Sequence, residues 1–176
     1  MKGWIGPIAF AAVTGIAAHW ATLSFAPGVI MDRTLLALKN RDVALHAFTT
    51  PQRITPETQA VVRTSPDLFY ALCRYDLSEP ESRLYVKIGR WPEYQSLSFF
   101  DAETNNFVTI RGEEEEDVWV VLATKDTPIL GEGEYGNPRS PTTRGVVLIR
   151  RLAPTQELFD QALQAAEADE CRLLTA

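Results

Sequence analysis

The distribution of polar residues along the chain changes abruptly at residue 32. From Gly3 to Met31 there is no Asp, Glu, Lys or Arg, and the stretch is rich in Ile, Ala, Val, Phe and Trp. A helix needs roughly 20 apolar residues to cross the hydrocarbon core of a bilayer, so this stretch is long enough. We therefore expect residues 1–31 to form a transmembrane anchor.

A cleaved secretory signal is the alternative interpretation of this stretch. A signal has a shorter apolar region followed by a small-x-small cleavage site. The best candidate site is Ser24-Phe25-Ala26, but it is followed by Pro27, a poor residue directly after a cut. We favour the uncleaved anchor, and whether cleavage occurs in the cell stays open.

Beyond Asp32 the hydrophobic runs become short and typical of strands. Leu84, Val86 and Ile88 alternate with polar residues, as in a half-buried strand. The run Val118–Leu122 is continuous and predicts a central strand buried on both faces. The expected strands are Leu68–Tyr75, Arg83–Ile88, Tyr94–Phe100, Asn106–Ile110, Val118–Ala123 and Gly145–Arg151. The first five follow one another too closely for intervening helices, which argues against parallel βαβ units.

Two segments after the anchor have helical spacing. Arg33–Ala44 predicts a short juxtamembrane helix, and Pro154–Ala168 predicts an amphipathic C-terminal helix with Thr155 as its N-cap. The fold class expected is α+β: an N-terminal transmembrane helix, then a mostly antiparallel sheet or sandwich with the C-terminal helix packed on it. The expected divisions are the anchor (1–31), a juxtamembrane helix and linker (32–66) and a β-rich domain (67–176).

Charge and cysteine content narrow the location and the partners. The chain has 17 basic and 23 acidic residues, a net charge of −6, which argues against nucleic acid as a partner. Lys2 precedes the anchor, and the positive-inside rule then favours a cytoplasmic N-terminus and a C-terminal domain on the other side of the membrane. The two cysteines, Cys73 and Cys171, would form a disulfide in a translocated domain, or stay buried thiols in a cytosolic one. We expect the disulfide.

No motif predicts catalysis, a cofactor or a metal site. Residues 131–136 match G-x-G-x-x-G, but Asn137-Pro138 follows and cannot open the helix that a dinucleotide site requires. The acidic run Glu113–Asp117 lacks the ligand spacing of an EF-hand loop and predicts a solvated hairpin turn. The two histidines are His19, within the anchor, and His46, in the juxtamembrane segment, and neither has a recognisable catalytic partner.

The anchor itself carries candidate contact residues. Gly15 and Ala18 are small residues at a spacing that permits close helix packing, and His19 is costly to leave facing lipid. These three residues predict a contact with a helix of another membrane protein.

Several stretches of the chain resemble one bacterial family. They are Leu68–Ser78, Tyr94–Asp101, Asn106-Phe107 and Thr143–Arg150, with His19, Thr22 and Pro27 of the anchor and the late Cys171. Together they are similar to the short, membrane-anchored alphaproteobacterial proteins of the DUF1254 class, whose function is unknown. The resemblance implies an envelope location and this architecture, and adds no catalytic residue.

Two functional hypotheses remain. The first, which we favour, is a non-enzymatic periplasmic protein that binds another protein as an accessory subunit of a larger inner-membrane assembly. The second is a binding or hydrolytic module that acts on a lipid or cell-wall component. A deep apolar pocket with convergent polar groups would favour the second hypothesis, and a shallow surface would favour the first.

Overall fold

The computed structural model describes residues 2–55, 64–128 and 135–174. The α-helices in these ranges are α1 (Ile5–Lys39) and α2 (Gln156–Ala165), with short 3-10 turns at Lys2–Trp4 and Ala166–Ala168. The strands are β1 (Leu68–Asp76), β2 (Arg83–Ile88), β3 (Gln95–Phe100), β4 (Asn106–Arg111), β5 (Val118–Thr124), β6 (Arg139–Ser140), β7 (Arg144–Leu152) and β8 (Glu170–Leu174).

The strands form two four-stranded sheets. Sheet A has the order β1-β7-β3-β4, and sheet B has the order β6-β5-β2-β8. Neighbouring strands are antiparallel except for the short parallel pair of β5 and β6. Buried side chains from both sheets and from α2 form one core cluster. The predicted α+β class, with an apolar N-terminal helix, antiparallel sheets and a C-terminal helix, is confirmed.

Alternation along the strands builds this core. Leu84, Val86 and Ile88 are fully buried, as their spacing predicts, and in β1 every second residue from Phe69 is buried. Burying a large apolar side chain contributes about 1.5–3 kcal/mol, so these alternating positions drive the two sheets together.

The C-terminal helix packs on the core where the sequence predicts it. Thr155 accepts a hydrogen bond from the backbone N–H of Leu158 at 3.2 Å, which makes it the predicted N-cap. Phe159 and Ala162 are buried, and the Phe159 ring lies 5.4 Å from that of Phe69 in sheet A. The helix ends at Ala165, earlier than predicted.

The juxtamembrane helix predicted over Arg33–Ala44 is helical only as far as Lys39, and it is a continuation of α1 instead of a separate helix. Helix α1 passes through Asp32 without a break and ends at Lys39. No glycine or proline follows Gly28 before the end of α1, so nothing in the backbone interrupts the helix where the charge pattern changes.

Sheet B differs from the prediction in two ways. The run Val118–Leu122 was expected to be buried on both faces, but Trp119 and Val121 are half-buried because they lie on the outer face of the sheet. No strand was expected after the C-terminal helix. The chain after α2 forms β8, which pairs with β2 and completes the sheet.

The predictions for two loops have different outcomes. The acidic run Glu113–Asp117 joins β4 of sheet A to β5 of sheet B, so the predicted hairpin turn is a connection between sheets. Residues 131–134 of the G-x-G-x-x-G match lie outside the described residues.

Candidate functional site

Helix α1 presents the three predicted contact residues on an open surface. Gly15, Ala18 and His19 are all exposed, and a Cβ added to Gly15 would meet no other atom within 4 Å. The helix has 35 residues and, at 1.5 Å per residue, is about 50 Å long. By length and composition it can cross a membrane. Within the described residues, the surface around Gly15 is uncovered.

The C-terminal end of α1 is attached to sheet A. Met31 is buried, and the next residue, Asp32, lies 3.7 Å from the guanidinium of Arg144 at the start of β7. On β1, the Arg74 side chain donates a hydrogen bond of 2.8 Å to the carbonyl of Val43, just beyond the helix. The domain is therefore in contact with the helix at the point where the apolar stretch ends.

The segment after α1 runs along the outer edge of β1. Leu45 and Thr49 form isolated bridges to β1, and the backbone N–H of His46 donates to the carbonyl of Arg74 at 2.8 Å. The His46 Nε2 atom lies 3.0 Å from both the N and the O of the Asp76 backbone. This imidazole is held by backbone groups, which gives it a structural role at the sheet edge.

Cys73 and Cys171 form a disulfide in the structure. Cys73 lies in β1 of sheet A and Cys171 in β8 of sheet B, with Cα atoms 6.6 Å apart and a sequence separation of 98 positions. Both side chains belong to the core cluster. The bond joins the two sheets and has the pairing that the sequence analysis expected.

A buried polar cluster lies at one end of the sandwich. Arg151 donates two hydrogen bonds to the carboxylate of Asp169, at 2.8 and 2.6 Å, and both side chains are fully buried. Arg151 also donates to the Gln95 side chain, which in turn donates to the carbonyl of Gly89 at 3.0 Å. Burial raises the pKa of Asp169, and the Arg151 guanidinium acts in the opposite direction.

This cluster links strands that are distant in sequence. Arg151 belongs to β7 of sheet A, whereas Gly89 follows β2 and Asp169 precedes β8 in sheet B. The Gly89 backbone N–H also donates to Asp169 at 3.0 Å, so the carboxylate binds groups from both sheets. Arg74 and Asp76 of β1 lie on one face of the strand but do not pair with each other: Arg74 donates to the Val43 carbonyl, and Asp76 accepts from the Ser78 N–H.

The outer surface carries an open cleft of about 510 Å³ next to the end of β4. Its lining is dominated by acidic side chains, and comprises Glu93, Arg111, Gly112, Glu113, Glu114, Glu115, Glu116 and Tyr135. Apart from Tyr135 the lining has no aromatic or aliphatic side chain, so the cleft is not the deep apolar pocket expected of a lipid-processing module. Among the described residues, no group of three or more His, Cys, Asp or Glu side chains could hold a metal ion.

Comparison with known families and structures agrees with this architecture. A family model described as a protein of unknown function, DUF1254, matches residues 46–171. No curated protein matches the sequence. The match begins at His46, so it includes the segment that runs along the edge of β1.

Two solved structures share the fold. A protein from Vibrio parahaemolyticus is 14% identical, with a TM-score of 0.61 over 85% of this chain and 35% of that protein's chain. An uncharacterized protein from Burkholderia cenocepacia is 11% identical, with a TM-score of 0.51 over 74% of this chain and 35% of the other. The chain thus spans about a third of the length of these two proteins.

Proposed function

We propose that this chain, which belongs to the DUF1254 family, is a non-enzymatic subunit that binds another membrane protein at a bacterial inner membrane. In this proposal α1 crosses the bilayer once with its N-terminus in the cytoplasm, and the β-sandwich lies in the periplasm. The interaction links the domain to a larger assembly, and α1 supplies the contact.

The open surface of α1 is the observation that carries this proposal. A helix surrounded by lipid gains no hydrophobic free energy from burying apolar side chains, so close packing around small residues and polar contacts drives helix association. Gly15 and Ala18 permit close approach, and His19 offers a polar group that a partner helix would satisfy.

Other features support a periplasmic location of the domain and a non-enzymatic role. A disulfide between the sheets suits an oxidising compartment such as the periplasm. In each of the two solved structures, the shared fold covers 35% of a longer chain. This is consistent with a domain that functions as part of a larger assembly. His46, the histidine outside the anchor, is held by backbone groups and is a poor candidate for a general base.

Site-specific crosslinking tests the proposed contact. A photoreactive residue at position 18 of the full chain, expressed in its native membrane, should crosslink to a discrete partner protein. Position 17 is the matched control, because it lies on the opposite side of the helix from Gly15 and His19. The variants Gly15→Leu and His19→Leu should reduce the crosslink several-fold, whereas Ala17→Leu should preserve it.

Exchange of residues 5–24 for polyleucine gives the decisive outcome. If a partner recovered by mild cross-linking and purification is retained in full after this exchange, the helix contact is refuted and α1 only anchors the domain. If neither position 18 nor the intact chain yields any specific partner, the interaction function itself is refuted.

A further inference from the structure

The outer face of sheet A brings together two arginines and a serine from three adjacent strands. In the register of the sheet, Ser96 of β3 lies opposite Arg150 of β7 on one side and opposite Arg111 of β4 on the other. Directly opposed residues of antiparallel strands share a face, so the three side chains lie in one row. The next row supports this register, because the hydroxyls of Ser98 and Thr109 lie 3.1 Å apart.

The Ser96 hydroxyl is buried and has no hydrogen-bond partner. The residue is only 2% exposed, and its Oγ is without a donor or an acceptor in the structure. Most buried polar groups are satisfied, and an unsatisfied one costs free energy. Ser96 has a short side chain between the long side chains of Arg111 and Arg150. This position accounts for its burial, but neither arginine forms a hydrogen bond with its hydroxyl.

Neither arginine of the row has a partner in the described parts of the chain. Other arginines of sheet A are bound: Arg151 to Asp169, Arg144 to Asp32 and Arg74 to the Val43 carbonyl. By contrast, Arg111 and Arg150 take part in no hydrogen bond or ion pair with any described residue. Two guanidinium groups thus flank a free hydroxyl donor, and no carboxylate of the described residues forms an ion pair with either of them.

We propose that Arg111, Ser96 and Arg150 form a binding site for the carboxylate or phosphate group of a small soluble ligand. Strands are about 4.8 Å apart, so the two arginine Cα atoms are separated by about 10 Å across β3. Two long arginine side chains at this separation can hold one oxyanion between their guanidinium groups. The planar guanidinium donates two parallel hydrogen bonds, which match the oxygens of a carboxylate or a phosphate. The Ser96 hydroxyl would donate to the same anion from below.

The surroundings of the row restrict the ligand to a small one. Glu93 and the acidic run Glu113–Glu116 line the cleft beside Arg111, so a polyanion extending in that direction would be repelled. Arg144 contacts Asp32, where the apolar stretch of α1 ends, and Arg150 lies six residues further along β7, about 20 Å from Arg144. That distance favours a soluble ligand over a lipid headgroup.

Thermal unfolding of the full chain in nonionic detergent tests the site with inorganic phosphate and with malonate as probes. Chloride keeps the ionic strength equal in all samples, because screening alone changes the stability of a charged protein. A ligand that binds only the folded state stabilises it, so above its dissociation constant the melting temperature should rise with the logarithm of the ligand concentration, by about 3–6 °C for each tenfold increase. The double variant Arg111→Ala/Arg150→Ala should lose this rise.

Two single variants separate ligand binding from structure. Ser96→Ala should melt higher than the wild type without a probe, because it removes an unsatisfied buried hydroxyl, yet its affinity for phosphate should fall severalfold. Arg172→Ala is the matched control, since Arg172 lies on β8 in the other sheet, and it should keep the full response.

Three results would overturn the proposal. The first is no probe-specific rise in the wild type, and the second is an equal rise in the Arg111→Ala/Arg150→Ala variant. The third is stabilisation by phosphatidylglycerol in nanodiscs, relative to phosphatidylcholine alone, with no response to either soluble probe. That last result would assign the arginines to the membrane surface.

Discussion

Arg151 of β7 and Asp169, the residue before β8, form a doubly hydrogen-bonded ion pair in which both side chains are fully buried. The two residues belong to different sheets of the sandwich, and the pair also binds Gly89 after β2. It therefore holds the start of the last strand to both sheets.

Replacing Asp169 by Asn should destabilise the domain strongly. The change leaves the buried Arg151 guanidinium without a counter-charge, and removing one partner of a buried pair typically costs about 3–5 kcal/mol. Denaturant unfolding of the full chain in detergent, followed by tryptophan fluorescence, measures the loss. Glu170→Gln is the control, because its pair with Arg172 is exposed and should be worth less than about 1 kcal/mol. Equal effects of the two changes would contradict the assigned role of Arg151 and Asp169.

The disulfide should be a main source of the stability of the oxidised domain. Cross-linking residues separated by 98 positions restricts the unfolded chain, and such bonds typically contribute about 2–4 kcal/mol. The variant Cys73→Ala/Cys171→Ala should therefore unfold at a lower denaturant concentration than the oxidised wild type. The reduced wild type should unfold close to the variant.

Thiol labelling supplies the independent check on this bond. The protein is purified from membranes without a reducing agent and then denatured. Neither cysteine should react with a maleimide added at this stage. Labelling of both cysteines would show that Cys73 and Cys171 are free thiols in the cell, and would also weaken the periplasmic assignment.

The exposed pair of Lys87 and Asp117 should make a small, pH-dependent contribution. Their side chains are 2.7 Å apart, and the hydrogen bond from Lys87 holds the pKa of Asp117 below its usual range. The stabilisation is therefore complete above the pKa of the unfolded carboxyl, about 3.8, and is lost as the pH falls through the lower folded value. The same hydrogen bond raises the pKa of Lys87, so at high pH the stabilisation is lost as the pH rises through that raised value.

Asp117→Asn tests this contribution. The variant should lose less than about 1 kcal/mol at neutral pH, because both side chains are partly solvent-exposed. The difference from the wild type should shrink in acid, below about pH 4, and in high salt. A difference that is unchanged in acid would show that Asp117 acts through its hydrogen bond to the Arg90 backbone instead.

Reporter fusions after Ala176 test the proposed topology. An alkaline phosphatase fusion folds in the periplasm and should be active, because Lys2 at the start of the chain favours a cytoplasmic N-terminus. A green fluorescent protein fusion at the same position should stay dark. The opposite pattern would place the C-terminal domain in the cytoplasm.

Local patterns in the sequence were sufficient for most of the fold. The apolar stretch before Asp32 identified the long helix, and short hydrophobic runs, alternating or continuous, identified six strands to within two residues at each end. Thr155 was recognisable as an N-cap because its hydrogen bond reaches only three residues along the chain. These features depend on neighbours in sequence, so periodicity and capping preferences report them directly.

The features that the sequence did not reveal depend on contacts between distant residues. Strand β8 has five residues, of which only Cys171 is buried, and its pairing with β2 makes it a strand. Gly145 must lack a side chain because a Cβ there would collide with the Phe100 carbonyl and the Tyr75 ring, neither of which is near it in sequence.

Arg150 and Arg151 show most directly the difference between what the local sequence indicates and what contacts between distant residues decide. In the sequence they are two equivalent neighbouring arginines, and alternation states only that they point to opposite faces of β7. The tertiary structure places Arg151 in the core beside Asp169 and leaves Arg150 outside, opposite Ser96 and without a partner in the described chain. The pattern of the chain thus determines which residues share a face, whereas the packing of the sheets decides what each face meets.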